Sequence, residues 1–165
     1  MTTTIYSVAD LPNRPAVDAL FGGRGKGLYV AYIGVADSLK SRIEQHLIRR
    51  DSSVTTGVSA AMLNSGNVTE VKWWEHERFL ERHVLEASEL VAFDVLNPAL
   101  RSRGASKHKS IQLYENTVFH DEMKALFTGA PSGHLVIRDL SYALAMIDAL
   151  ENRVAELERR LGKIE

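Results

Sequence analysis

A run of six residues that contains four glycines, Gly22 to Gly27, separates two apolar segments near the start of the chain. Residues 15–21 and 28–33 both resemble strands, and the second is rich in the β-branched and aromatic side chains that favour strands. A short glycine-rich link between two such segments is typical of a turn. The run therefore predicts an antiparallel hairpin with a mobile tip made basic by Arg24 and Lys26.

Residues 12–104 show the order strand, strand, helix, strand, helix. An N-cap at Asp37 or Ser38 begins the first helix, because a short polar side chain there accepts a hydrogen bond from the first turn. Residues 68–74 are rich in β-branched and aromatic side chains and predict the third strand. The second helix ends at Pro98, because proline disfavours helical backbone at the residue before it.

Residues 105–138 are less regular and are interpreted as a variable connecting region. A strand near Ile111–Tyr114, a short helix from about Asp121 and a strand over 134–138 are predicted there. The fold class predicted for the whole chain is α+β. It consists of a small three-stranded antiparallel sheet flanked by helices and followed by a long C-terminal coiled-coil helix.

The segment 139–165 has apolar residues at alternating spacings of three and four, which is the heptad pattern of a coiled coil. Arg153 would face Glu158 of a partner helix, and Arg160 would face Glu165, which favours a parallel homodimer. The alternative is that this helix packs against its own domain. The apolar positions are Leu140, Ala143, Ile147, Leu150, Val154, Leu157, Leu161 and Ile164.

Composition excludes several classes of site. The chain has no cysteine, so disulfides, thiolate zinc sites and a cysteine nucleophile are excluded. No apolar run approaches the ~18 residues that a membrane span needs. The first residues lack the basic and apolar regions of a signal peptide. We therefore expect a cytoplasmic protein without membrane contact.

One constellation carries a chemical signal. Residues 32–34 read Tyr-Ile-Gly and are followed by Arg42 and, four residues later on the same helix face, by His46. Glu89 lies nine residues before Pro98. This set of spacings resembles the catalytic domain of the GIY-YIG nuclease family over roughly residues 12–104.

The resemblance implies a metal-dependent endonuclease that hydrolyses phosphodiester bonds in DNA. It implies that Glu89 binds Mg²⁺ or Mn²⁺, with Glu86, one turn earlier, as a second candidate. Arg42 would neutralise charge on the phosphate oxygens. Tyr32 or His46 would relay the proton of the attacking water.

The chain departs from the family pattern at the first tyrosine, because Asp18 stands at that position. Tyr29 lies only three residues before Tyr32, so the two side chains point to opposite faces of a regular strand. Three interpretations stay open. Asp18 acts as the base or as a second metal ligand, Tyr29 reaches the site across a distorted hairpin, or the domain binds DNA without cutting it.

The preferred function is thus an endonuclease that acts as a homodimer. The alternative is a catalytically impaired nucleic-acid-binding or scaffold dimer. Basic side chains are the candidates for contacts to the phosphate backbone. They are Arg24, Lys26, Lys40, Arg49, Arg50, Arg101, Arg103, Lys107 and Lys109.

Overall fold

The computed structural model describes residues 2–22, 29–51, 65–100, 107–137 and 140–161. The described strands form one mixed sheet in the order β1-β5-β4-β2-β3. Strand β1 runs parallel to β5, and all other neighbours are antiparallel. The strands are β1 (Thr3–Ile5), β2 (Ala16–Gly22), β3 (Tyr29–Ala36), β4 (Val68–Trp74) and β5 (Gly133–Val136).

The helices flank this sheet. The first, α1, continues without a break into a π-helical segment, Glu44–Arg49, which ends at Arg50 in the left-handed region with φ of 56°. Short 3₁₀ turns precede β2, β4 and α2. The α-helices are α1 (Leu39–Ile43), α2 (Arg82–Leu96), α3 (His108–Tyr114), α4 (Thr117–Thr128) and α5 (Leu140–Leu161).

The prediction of a three-stranded antiparallel sheet is wrong, because the sheet has five strands and is mixed. Strands β2, β3 and β4 are the ones that were expected. Strand β5 pairs with β4, and β1 then pairs with β5 through Thr3 and Gly133. The two added strands lie outside residues 12–104, so the sheet extends beyond the segment that resembles the nuclease domain.

The prediction of a long coiled-coil helix over 139–165 is also wrong. The C-terminal helix is described over Leu140–Leu161 only. Its side chains are described at Ile147 and over 150–160, where they are mostly exposed. Among the described residues, no helix has the length and apolarity needed to cross a membrane.

Residues 108–114 form a helix rather than the strand predicted near Ile111–Tyr114. The segment is short, and its apolar residues fit either periodicity, so packing against α2 decides its conformation. Helix α4 begins at Thr117, four residues before the predicted start at Asp121. Asn116 caps it by accepting a hydrogen bond from the Phe119 amide at 3.1 Å.

The sheet separates two apolar clusters. We call its sides the α2 face, where Val17, Ala19 and Trp74 pack with residues of α2 and α4, and the α1 face, where Leu20 and Trp73 pack with residues of α1. The adjacent residues Trp73 and Trp74 point to opposite sides, and each is 3% exposed. Of the polar residues discussed next, Asp18 lies on the α1 face, and Arg42 belongs to α1.

Candidate functional site

The Tyr-Ile-Gly run lies in β3 and shapes the site through its glycine. Gly34 pairs directly with Asp18 across the β2–β3 ladder. A Cβ atom placed on Gly34 would lie only 2.9 Å from Cε1 and 3.2 Å from Oη of Tyr32. The Tyr32 ring and hydroxyl therefore lie over Gly34, the residue that pairs with Asp18.

Helix α1 brings Arg42 to this hydroxyl. Ser38 caps the helix by accepting a hydrogen bond from the Ser41 amide at 3.3 Å, which fixes where the helix begins. Nη2 of Arg42 donates a hydrogen bond to Oη of Tyr32 at 3.3 Å. Nε of Arg42 is buried and has no hydrogen-bond partner among the described residues. The guanidinium thus keeps donor capacity for another group.

Asp18 is fully buried in β2, on the same face as Leu20. Neither carboxylate oxygen has a hydrogen-bond partner from another residue in the described part of the chain. Burial raises the pKa of Asp18 to about 6, although the positive charge of Arg42 and a contact with its own backbone amide act in the opposite direction. A buried carboxylate without a hydrogen-bonding neighbour is costly unless a proton or cation neutralises it.

Glu89 belongs to α2 and approaches the same group. Burial, and next the negative charge of Asp18, raise the pKa of Glu89 to about 7, while Arg42 lowers it. Burial and the charge of Asp18 also raise the pKa of Tyr32 to about 12, with a smaller contribution from Glu89. These mutual influences place Asp18, Tyr32, Arg42 and Glu89 within one electrostatic cluster, which we call the site cluster.

His46 lies in the π-helical segment and is fully buried. Its ring meets the Tyr32 ring edge-on, with 5.5 Å between the centroids. Burial, and next the charge of Arg42, lower the pKa of His46 to about 4. The imidazole is therefore uncharged at neutral pH and supports the position of Tyr32, so we describe it as a positioning residue.

Glu86, the second candidate ligand, is already engaged. It accepts hydrogen bonds from Nε of Arg82 and from Oγ of Ser110, both at 2.9 Å. Arg82 also pairs with Asp37 at 3.0 Å. Burial would raise the pKa of Glu86, but these hydrogen bonds and the charges of Arg82 and Lys107 outweigh it, so the pKa is lowered. Glu86 is a structural residue here, and Glu89 is the available carboxylate.

Arg82 and Ser110 were not among the residues singled out from the sequence. Arg82 links α2 to the loop before α1 through Asp37, and Ser110 links α3 to α2 through Glu86. Arg82 also lowers the pKa of Glu89. The spacing of Arg82 and Glu86 by one helical turn was the only signal in the sequence, and such pairs are common on helix surfaces.

Tyr29 does not join the site cluster. A β-bulge between Leu20 and Phe21 interrupts the ladder, so that Tyr32 pairs with Leu20 and Tyr29 with Gly22. Gly22 lies four residues, or about 13 Å, along β2 from Asp18. Tyr29 is 49% exposed, whereas Tyr32 is 2% exposed.

The basic candidates are dispersed. Lys107 and Lys109 are exposed at the start of α3, and Arg50 is exposed after the π-helical segment. Lys40 donates a hydrogen bond to the Ala9 carbonyl at 2.9 Å, and Arg49 lies 3.8 Å from Asp51. Four further candidates lie outside the described residues. They are Arg24, Lys26, Arg101 and Arg103.

The donor set of the cluster suits a hard divalent cation. Mg²⁺ prefers oxygen ligands and is often held by one or two carboxylates together with water. Asp18 and Glu89 supply two carboxylates, and the oxygens of Asp18 lack other hydrogen-bonding residues in the described structure. No set of three or more His, Asp or Glu side chains in ligating position occurs among the described residues.

Comparison with known proteins gives no independent assignment. No protein-family model matches the chain, and no curated protein matches it either.

Proposed function

We propose that the protein is a metal-dependent endonuclease that hydrolyses phosphodiester bonds in DNA, with a site related to that of the GIY-YIG nucleases. One observation carries the proposal. Arg42 of α1 donates a hydrogen bond to Tyr32 of β3, and Asp18 of β2 and Glu89 of α2 influence this pair and each other electrostatically, so the set contains a tyrosine hydroxyl, a guanidinium and two carboxylates. Phosphodiester hydrolysis requires groups that bind phosphate, hold a cation and manage a proton.

Each residue has a role that its surroundings support. Arg42 carries a fixed positive charge and an unused Nε donor, which suits binding to a phosphate oxygen. Tyr32 keeps its proton at neutral pH, since its pKa is raised to about 12. Its hydroxyl accepts from Arg42 and so has its own proton free to donate to an oxygen of the substrate.

Glu89 is the residue proposed to hold the cation. A bound Mg²⁺ or Mn²⁺ would polarise the phosphate and stabilise the leaving oxygen. Glu89 suits this role because its carboxylate is half-buried and is not used by Arg82, which is engaged by Glu86 and Asp37. The exposed lysines Lys107 and Lys109, on the helix that contacts Glu86 through Ser110, would contact the DNA backbone.

The test is a plasmid-nicking assay with Mg²⁺ or Mn²⁺. We expect Glu89→Gln and Arg42→Ala each to lose nicking by about 100-fold or more, as is usual when a group that stabilises the transition state is removed. Glu86→Gln, one helical turn away, and Arg78→Ala, which loses a surface pair with Glu122, are the matched controls and should keep activity. Nicking that survives Glu89→Gln would refute the proposal.

A second candidate function is DNA binding without cleavage. Asp18, Tyr32 and His46 are each exposed by 2% or less, so water reaches the site only at the partly exposed Arg42 and Glu89. This alternative predicts binding that weakens with salt, and no nicking of duplex, branched or single-stranded DNA by the wild-type protein. Absence of binding at low salt would leave only a scaffold role.

Self-association and location complete the proposal. Helix α5 exposes Ile147, Leu150, Val154 and Leu157, which are between 45% and 60% exposed. We propose that this apolar stripe contacts a second copy of the chain, since contiguous exposed apolar side chains often mark interfaces. Sedimentation should show a dimer that Leu150→Glu dissociates, whereas a wild-type monomer would contradict this. A cytoplasmic location belongs to the same proposal.

A further inference from the structure

The two helices that carry Arg42 and Glu89 pack on opposite sides of the sheet. Leu39 and Ile43 of α1 belong to the apolar cluster of the α1 face, whereas α2 contributes its buried residues to the cluster of the α2 face. Packing within one cluster therefore does not fix the position of the other helix. The distance between the Arg42 guanidinium and the Glu89 carboxylate depends on the sheet between the helices and on contacts that join the helices directly.

Arg82 makes such a contact at the end of strand β3. Its Nη1 donates a hydrogen bond at 3.0 Å to Oδ1 of Asp37, which follows the strand and directly precedes Ser38, the N-cap of α1. Its Nε donates a hydrogen bond at 2.9 Å to Oε1 of Glu86, one turn further along α2. One guanidinium thus joins the start of α1 to the first turns of α2 through two different carboxylates.

Each carboxylate that Arg82 binds is close in sequence to a residue of the site cluster. Arg42 lies five residues after Asp37, on the helix that begins there. Glu89 lies three residues after Glu86 on α2, so the two glutamates project from neighbouring positions of one helix. A change at Arg82 therefore reaches both residues through short segments of helix.

A further hydrogen bond makes this contact part of a network. Oγ of Ser110, from α3, donates to Oε2 of Glu86 at 2.9 Å, so both oxygens of Glu86 are used and its orientation is fixed. The side chain of Asp37 is 77% exposed, so its pair with Arg82 contributes little to the stability of the whole fold. The contact is therefore better suited to setting a position than to holding the fold together.

We propose that Arg82 is a positioning residue, which joins α2 to the segment before α1. Through this link it holds Glu89 and Arg42 at the separation that hydrolysis requires. This role rests on the proposed function, which assigns Arg42 to the phosphate and Glu89 to the cation. Small displacements of reacting groups reduce the rate steeply, even when the change is made away from the chemistry.

The first test measures kcat and KM for plasmid nicking. We expect Arg82→Ala to lower kcat about tenfold with KM nearly unchanged, because reacting groups are misplaced while the DNA-binding surface is kept. Arg82→Lys should show the same loss, since one ammonium cannot span two carboxylates as the planar guanidinium does. Arg78→Ala is the matched control. Arg78 is similarly exposed and pairs at 2.9 Å with Glu122 of α4, so its loss should leave kcat unchanged.

Asp37 offers a matched pair of variants. Asp37→Asn keeps a carbonyl oxygen that accepts from Arg82, whereas Asp37→Ala does not. We expect wild-type kcat in the first variant and the loss of Arg82→Ala in the second, with no further loss when both alanine substitutions are combined. Because the pair is exposed, Asp37→Ala should leave the Tm almost unchanged, which excludes a folding defect as the cause.

The second test measures the geometry without DNA or metal. The chain has no cysteine, so cysteines introduced at the exposed positions Ser41 of α1 and Glu81 before α2 can carry spin labels. Double electron–electron resonance then gives the distribution of distances between the two labels. We expect a shifted or broader distribution in Arg82→Ala and in Asp37→Ala, and the wild-type distribution in Arg78→Ala.

The outcomes separate this role from the nuclease activity itself. Wild-type kcat in Arg82→Ala, or an equal loss in Arg78→Ala, overturns the positioning role while the nuclease proposal stands. A raised KM with unchanged kcat also overturns it, because Arg82 would then contact DNA. If the wild-type protein cuts no DNA, the nuclease proposal fails. The label distances then decide alone, and an unchanged distribution in Arg82→Ala overturns the link between the helices.

Discussion

The two faces of the central sheet are built from adjacent residues yet differ in kind. On the α2 face, Val17, Trp74, Leu85 and Phe127 form a cluster of apolar side chains. On the α1 face, the apolar cluster around Leu20 surrounds a polar group in which the ionisable side chains of Asp18 and Arg42 keep buried atoms without partners among the described residues. In the apolar cluster of the α2 face, the indole Nε1 of Trp74 is also unpaired among those residues, but it carries no charge. We therefore expect the α2 face to supply stability, and the buried ionisable groups of the α1 face to reduce it.

The largest effect should come from the α2 face. Leu85 is fully buried against the sheet, so Leu85→Ala should lower the free energy of unfolding by about 3 kcal/mol, through lost transfer energy and the cavity that remains. Urea denaturation measures this loss. Activity per folded molecule should be retained. A loss of stability below about 1 kcal/mol would contradict the view that the α2 face supplies most of the stability.

The next largest change in the free energy of unfolding is a gain, and it comes from Asp18 on the α1 face. The folded-state pKa of Asp18, about 6, lies above its ordinary value of 3.8. As pH rises, the unfolded chain releases this proton first, so the wild-type protein loses stability between about pH 4 and pH 6 and stays lower above that range. Asp18→Asn, with chelator present, should therefore be more stable at pH 8 by on the order of 2 kcal/mol.

The control for that prediction is the same pair of proteins at pH 4, where the difference should be nearly absent. Arg42 lowers the pKa of Asp18, and the charge of Asp18 raises the pKa of Glu89 and Tyr32 in the wild-type protein only. At pH 4 these groups differ little between the two proteins, because Asp18 is then largely protonated. His46 acts in the other direction, since its lowered pKa of about 4 makes stability rise with pH up to about 6.5. Its contribution is common to both proteins. A variant less stable than wild type at pH 8 would contradict the prediction.

A smaller effect distinguishes the two glutamates on α2. Glu86 binds Arg82 and Ser110, so Glu86→Gln should cost about 1 kcal/mol, since Arg82 is half-exposed and water weakens the pair. Without metal at pH 8, Glu89→Gln should leave the free energy of unfolding unchanged or raise it. The reason is that a carboxylate whose pKa is raised in the folded state destabilises that state when it is charged. Chemical denaturation of both variants measures their free energies of unfolding, and equal losses in the two variants would contradict this prediction.

The smallest effect concerns surface charge near the α1 face. Arg50 is exposed, whereas Arg49 lies 3.8 Å from Asp51, which offsets its charge. If the protein contacts DNA here, Arg50→Ala should reduce the slope of log binding constant against log salt by about 1, and Arg49→Ala by less. Fluorescence anisotropy at several salt concentrations measures the slopes, and unchanged slopes in both variants would exclude this surface.

Much of the local structure follows from the sequence because it depends on neighbouring residues. Strands β2, β3 and β4 were predicted within a few residues, and the cap at Ser38 begins α1 as expected. The ten-residue separation of Tyr32 and Arg42 spans one strand end and the first turns of one helix. Such a short connection allows the two side chains to meet, and Nη2 of Arg42 donates a hydrogen bond to Oη of Tyr32 at 3.3 Å.

Other features depend on contacts between distant parts of the chain. A strand was predicted over 134–138, where β5 lies, but its place in the sheet was not. Strand β1 has three residues, which is too short for a periodic signal, and it pairs with β5 across about 130 residues. The strand predicted at Ile111–Tyr114 became a helix because packing against α2 overrides a weak local preference. The engagement of Glu86 by Ser110 of α3 could not be foreseen for the same reason.

The sequence by itself determined which residue types stand at Asp18, Tyr32, Arg42 and Glu89, and which of them share an element. The tertiary structure alone decided that Asp18 is buried without partners from other described residues, that Glu86 is engaged and Glu89 is not, and that Tyr29 lies away from the site. The physical reason is that periodicity acts between neighbours along the chain. Burial and charge pairing instead depend on which elements pack together.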